Sequence, residues 1–109
     1  MKYKSTMHNL DKRQCYLCEK LHGDYSEKLV IHHHHVFGGP YKKASEKYGF
    51  IVNLCPFHHV GDISGNQEAV HGAPDSKRYS DMLKKDAQGI FEEDHPRNDF
   101  IRIFGKSRL

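Results

Sequence analysis

The sequence predicts a small α+β domain, and three observations carry that expectation. Two ligand pairs share one spacing, Cys15-x2-Cys18 and Cys55-x2-His58. Two short runs of β-forming residues, 28–36 and 50–54, lie between the pairs. The stretch 76–93 then repeats apolar residues at helical period. The 109 residues suffice for one domain, and a chain of this size buries roughly 60–70% of its unfolded surface. Hydrophobic residues are 37% and charged residues 28%, with no Trp. So thin an apolar share calls for help from outside the core. Structural zinc takes four tetrahedral Cys or His ligands, usually from two short pieces of this spacing. The set Cys15, Cys18, Cys55 and His58 uses every cysteine in the chain. Zinc held by such a set contributes on the order of 10 kcal/mol. The expected fold is therefore a zinc-stabilised α+β core with additional C-terminal helices. Against it stand ordinary buried thiols and a CxxC redox site. The redox site needs a thioredoxin-like βαβ context that the surroundings lack.

Each element has its own local reason. Residues 1–13 carry Lys2, Lys4, Lys12 and Arg13 and read as a flexible basic arm, so the folded domain is expected over 14–109. Residues 14–23 read as a tight knuckle or hairpin ending at Gly23. In 28–36, Leu29, Val30, Ile31 and Val36 favour β-structure, and Phe37-Gly38-Gly39-Pro40 breaks it. Residues 42–48 give a helical turn stopped at Gly49. A second strand spans 50–54. Pro56 suits the first turn of a helix that Gly61 and Gly65 keep short, and 61–74 reads as a loop. Asp75 is placed to cap a helix over 76–93. Tyr79, Met82, Leu83, Ala87, Ile90 and Phe91 fall on its inner face, and Lys77, Arg78, Lys84 and Lys85 roughly opposite. That basic face reads equally as solvated surface or as a surface tracking phosphates of nucleic acid. A last helix over 96–104 takes Pro96 in its first turn, turns Phe100, Ile101, Ile103 and Phe104 inward, and ends at Gly105.

Bulk properties narrow the function classes. Met1 to Arg13 is polar throughout, unlike a secretory signal. No run approaches the ~20 apolar residues of a membrane span. The expected setting is the cytoplasm, with reduced thiols and no membrane partner. A net charge of +3 fits a nucleic-acid partner without requiring one. Ten His are more telling, because histidine is the commonest metal ligand and titrates nearest neutral pH.

Four of those histidines form the internal run His32 to His35. The segment His34-His35-Val36-Phe37-Gly38-Gly39, set between a CxxC and a Cys-x2-His-His, resembles the HNH nucleases. These are also called ββα-metal or His-Me finger endonucleases. The likeness is greatest to small HNH-like proteins of phages and prophages. By motif it covers about residues 15–71, and Ile103-Phe104-Gly105-Lys106 is a looser likeness. The resemblance implies a ββα-metal, treble-clef-like core and a metal-dependent endonuclease that hydrolyses DNA phosphodiester bonds. It also implies a bacterial host cell, with the protein encoded by a phage or prophage. It makes His35 the general base, and His34 and His59 ligands of a single catalytic divalent ion, beside the structural zinc. Asp is commoner in the family where His34 stands. A nitrogen-rich site would tolerate Zn2+, Ni2+ or Mn2+ better than Mg2+ alone. His71, in a Gly-rich loop, is read as a third ligand, a phosphate contact or a surface histidine. Asn53 stands too late, two residues before Cys55, for the Asn of the family name.

The residues agree with that chemistry in kind. A neutral imidazole can take a proton from water, and a divalent ion can neutralise charge developing at phosphorus. Neighbouring residues point to opposite faces of a strand, so His34 and His35 serve one site only if the pleat breaks near Gly38-Gly39. A shifted register, with His32 and His33 in the active roles, fits the spacing to Phe-Gly-Gly less well. The alternative function is a non-catalytic zinc module that binds nucleic acid or protein. Such a module has no need of His34, His35 and His59. A redox or metal-storage protein is suggested only by the His and Cys content.

Overall fold

The computed structural model describes residues 3–60 and 68–109. The expected loop over 61–74 therefore lies outside the described residues from 61 to 67. The chain folds as α1 (Tyr16–His22), β1 (His32–His35), α2 (Lys42–Tyr48), β2 (Ile51–Leu54), α3 (Pro56–His59), α4 (Ser76–Phe91) and α5 (Arg97–Phe104). It is a small α+β structure, with β1 and β2 pairing antiparallel.

The first ligand pair sits on a helix rather than in a hairpin. Cys15 caps α1, its sulfur accepting from the Cys18 amide, and Gly23 closes the helix in the left-handed region at φ 63°. A side-chain acceptor at one end and a glycine at the other suffice for seven residues. The strand expected over 28–36 shrinks to His32–His35. Leu29 and Val30, which suggested it, are 92% and 52% exposed. The physical reason is partnership. The pairing runs His32 with Leu54, His33 with Asn53, His34 with Val52 and His35 with Ile51, and so ends where β2 ends. The Lys28 amide instead donates to the Arg13 carbonyl at 2.7 Å.

Helix α2 ends at Gly49, which has φ 75°. A side chain there would meet the Thr6 amide nitrogen at 2.8 Å, because residues 3–13 run beside this turn. That segment, expected to be a flexible arm, is hydrogen-bonded to β2 and the turn before it. Thr6 N–H donates to the Gly49 carbonyl at 2.9 Å, and the Ser5 hydroxyl donates to Ile51 at 2.6 Å. Asn53 holds the next stretch: its amide group donates to the Leu10 and Lys12 carbonyls, and its backbone N–H donates to His8 Nε2.

Helix α4 starts as expected but without the expected cap. Asp75 makes no capping bond. Ser76 ties its own hydroxyl to the Ala73 N–H and C=O instead. Tyr79, Leu83, Ala87 and Phe91 are buried along its inner face. Pro96 precedes α5 rather than opening its first turn. Phe100 and Phe104 are buried, but Ile101 is exposed, because an eight-residue helix has only one face on the core. The core is largely aromatic. Phe37 and Phe104 rings lie 4.4 Å apart, Phe100 and Phe104 4.8 Å, and Phe91 and Phe100 5.5 Å. These rings join α4 and α5 to the end of β1. No described helix is long and apolar enough to cross a membrane.

Candidate metal centres

Strand β2 leads directly into Cys55, which precedes α3, and His58 follows one turn later. Helix α1 packs against β2, so Cys15 and Cys18 arrive beside the second pair. His58 Nδ1 lies 3.5 Å from Cys15 Sγ, 3.4 Å from Cys18 Sγ and 3.5 Å from Cys55 Sγ. Cys18 Sγ and Cys55 Sγ are 3.9 Å apart. Metal–sulfur bonds of ~2.3 Å and metal–nitrogen bonds of ~2.0–2.1 Å give tetrahedral edges of about 3.8 Å between sulfurs and about 3.6 Å between sulfur and nitrogen. The four buried side chains thus stand at the spacing of a closed tetrahedral site, and the Cys3His set fits structural zinc.

The thiols compete for charge in a way that a cation would relieve. A hydrogen bond from Cys15 holds Cys55 down to about 3 against the effect of burial. The same bond, with burial, pushes Cys15 up. Burial also raises Cys18. A divalent ion lets crowded thiols ionise together.

The His58 ring is fixed from behind. Its Nε2 lies 3.0 Å from Glu68 Oε1, so Nε2 carries the donated proton and the Nδ1 lone pair faces the sulfurs. Burial acts against the charged form of His58, but hydrogen bonds to Cys55 and Glu68 outweigh it and raise the imidazole. Glu68 Oε1 also meets His22 Nε2 at 2.7 Å. Neither Glu68 nor His22 stands out in the sequence. Glu68 lies ten residues beyond its partner, where no ligand spacing signals it.

A second cluster is built from three of the expected residues. His34, His59 and His71 bring one nitrogen each to within 4.8 Å of one another. Their ring centroids are 5.4, 5.3 and 5.2 Å apart, with interplanar angles of 65°, 71° and 66°. His34 comes from β1 and His59 from the last turn of α3. His71 is delivered by backbone bonds: the Val70 and His71 amides donate to the His58 and His59 carbonyls, each at 3.0 Å. His34 is buried, and its Nε2 has no hydrogen-bond partner among the described residues. Burial, reinforced by His59 and His71, pushes His34 down to about 3, so its ring is neutral near pH 7. Burial, then His32 and His71, also lowers His59. His59 Nδ1 lies 2.8 Å from His32 Nδ1, which leaves Nε2 as its ligand atom. His32 thus stands behind His59 and fixes its ring.

The pleat of β1 does not break. His32 and His34 face His59, while His33 and His35 face Tyr3. His33 Nδ1 bonds to Asn53 Oδ1 at 2.7 Å, so Asn53 serves as a scaffold. His35 Nε2 lies 3.3 Å from Glu46 Oε1, an ion-pair distance without hydrogen-bond alignment. His34 and His35 nevertheless line one cleft of ≈ 350 Å³, together with His59, His71 and Lys84. Larger clefts of ≈ 590 and ≈ 650 Å³ border residues 3–11 and contain neither cluster.

Of the four expected basic contacts, Lys84 reaches the histidine cleft. Lys77 pairs with Asp81 at 2.6 Å, Arg78 lies over the Tyr79 ring, and Lys85 is exposed. The helix turns Arg78 and Lys85 away from the wall to which it brings Lys84, whereas Lys77, two turns earlier, shares the face of Lys84 without lining the cleft. No family model, curated protein or solved structure was found to match this chain, so its reading rests on these two centres.

Proposed function

We propose that this protein is a metal-dependent endonuclease of the HNH kind, cutting DNA phosphodiester bonds. The observation that carries the proposal is the triad His34, His59 and His71, whose nitrogens converge within 4.8 Å in a cleft separate from the cysteine set. A module that only binds zinc has no use for a second ligand set with a buried imidazole whose Nε2 has no hydrogen-bond partner among the described residues. The order β1–β2–α3, with His34 on the first strand and His59 on the helix, supports a ββα-metal arrangement.

In this reading the two centres divide the work. The Cys3His set holds structural zinc and fixes α1 and α3 to β2. The triad holds one exchangeable divalent ion, whose charge neutralises the phosphoryl and leaving oxygens. His35 is the general base. It lines the cleft beside the triad and takes the proton from the attacking water. The water oxygen bonds to phosphorus as the bridging P–O bond breaks, and the bridging oxygen leaves with the electron pair. Lys84 presents positive charge on the cleft wall, where the strand backbone is negative. Three neutral nitrogens favour Mn2+, Ni2+ or Zn2+ over Mg2+ as the catalytic ion.

Plasmid nicking, with each of these ions added in turn, tests the proposal. Wild type is expected to nick with at least one of them, and His35→Ala about 10²–10⁴-fold more slowly, the range lost with a general base. Equal rates for the two proteins under every ion would remove the nuclease reading.

A further inference from the structure

Arg108 lies beyond α5, outside every motif of the sequence. Its guanidinium carbon sits 5.9 Å from the Phe37 ring centroid, and Lys84 Nζ sits 6.0 Å from the same centroid. Phe37 is the third residue after His34 and is buried beside the histidine cleft. The two cations therefore share one aromatic ring, and Lys84 is the one of the two that lines the cleft. The backbone holds Arg108 there. Its amide donates to Gln88 Oε1 at 2.5 Å, and Gln88 Nε2 donates to Ser107 Oγ at 3.1 Å. Gln88 is fully buried in α4, so this clamp is rigid.

The charges around Arg108 do not balance. Its nearest carboxylate oxygen, Asp81 Oδ1, is 3.8 Å away, too long for a hydrogen bond. The other oxygen of Asp81 is held by Lys77 at 2.6 Å. Arg108 Nε is buried and has no acceptor among the described residues. Lys84 forms no ion pair among them, and burial, then Arg108, lowers its affinity for a proton. Three cations thus share one carboxylate on the side of α4 that borders the triad. Two cations held close together are costly unless an anion joins them. A planar arginine fork beside a lysine point charge matches a phosphate better than a single carboxylate oxygen.

We propose that Arg108 and Lys84 form an oxyanion subsite that seats a phosphate of the DNA strand next to the one at the histidine triad. The proposal rests on the nuclease reading for the identity of the strand, but the subsite has its own test. A short fluorescent DNA duplex is titrated against zinc-loaded His35→Ala protein, which binds without cutting, over a range of salt. Each phosphate contact contributes about 0.9 to the slope of log affinity against log salt. Adding Arg108→Gln is expected to lower that slope by about 0.9 and weaken binding several-fold, with Mn2+ binding unchanged. Adding Arg108→Lys instead should restore most of the slope. Lys84→Gln gives the same readout should Arg108→Gln fail to fold. A folded Arg108→Gln protein that melts earlier but keeps the full slope shows a packing role on Phe37 and overturns the subsite. Inorganic phosphate supplies an arm without DNA, followed through the amide NMR signals of Ser107 and Arg108. Shifts that vanish in both Gln variants support an oxyanion subsite even if the protein cuts no DNA. Absent shifts together with an unchanged slope overturn it, whether or not wild type nicks plasmid.

Discussion

Glu68 Oε1 stands between two imidazoles and accepts from His58 Nε2, so its carboxylate decides which nitrogen of His58 can meet a metal. Outer partners of this kind change metal affinity by roughly 10–100-fold. Glu68→Gln is therefore expected to lose zinc to a competing chelator at a 10–100-fold lower chelator concentration, with the fold retained once zinc is bound. Unchanged competition would show that the carboxylate does not orient His58. The same scale gives a pH prediction at His34. Its folded value of about 3 lies below the ordinary histidine value near 6.5, so between the two the unfolded chain binds the extra proton. Stability without an ion in the triad should be full above pH ~6.5 and fall as the pH drops toward 3. In denaturant titrations, His34→Leu should flatten that decline by about 1.4 kcal/mol for each pH unit at most. Parallel curves for the two proteins would contradict the burial argument. The ligand residues themselves were legible in the sequence. Matched two-residue gaps identify Cys15, Cys18, Cys55 and His58, because tetrahedral coordination demands such gaps. His22, Glu46 and Glu68 were not legible, since an outer partner needs only to arrive nearby and follows no spacing.

At the scale of elements, short strands carry the outcome. Strand β1 is four residues long because β2 offers four partners. Leu29 and Val30 have β-forming side chains but no strand to pair with. Sequence propensity records the preference of a residue and not the length of its neighbour. The helices were more legible, since α2, α4 and α5 each bury a face at helical period or end at a glycine. Segment 3–13 was not, because it is held by backbone bonds and by Asn53, which a polar composition does not reveal. The turn between α2 and β2 tests that attachment. Gly49→Ala places a methyl against the Thr6 amide at positive φ. It is expected to cost about 1–3 kcal/mol in chemical denaturation. It should also speed hydrogen exchange at the Thr6 and Asn53 amides. A neutral substitution would mean that residues 3–13 do not pack there in solution.

Over the whole molecule, two kinds of cohesion act in different halves. The cysteine set joins α1, β2 and α3 beside the buried Leu17, Val52 and Leu54. The aromatic cluster of Phe37, Phe50, Phe91, Phe100 and Phe104 binds α4 and α5 to the strands. Cys55→Ala should therefore abolish tight zinc binding and the cooperative thermal transition together, since zinc of this kind contributes on the order of 10 kcal/mol. Phe104→Ala should cost about 3–5 kcal/mol and leave zinc bound. The histidine cleft lies where the halves meet: His34, His35 and His59 come from the first half, Lys84 from the second, and His71 from the segment between. The central claim is that this meeting point holds a catalytic ion apart from the structural zinc. Its most direct test is the plasmid-nicking rate against Mn2+ concentration, for wild type and His59→Ala carrying equal zinc. The account predicts a saturable rise for wild type and no saturable rise for His59→Ala. The same saturable curve from both proteins, or no cleavage from wild type at any Mn2+ concentration, would contradict it.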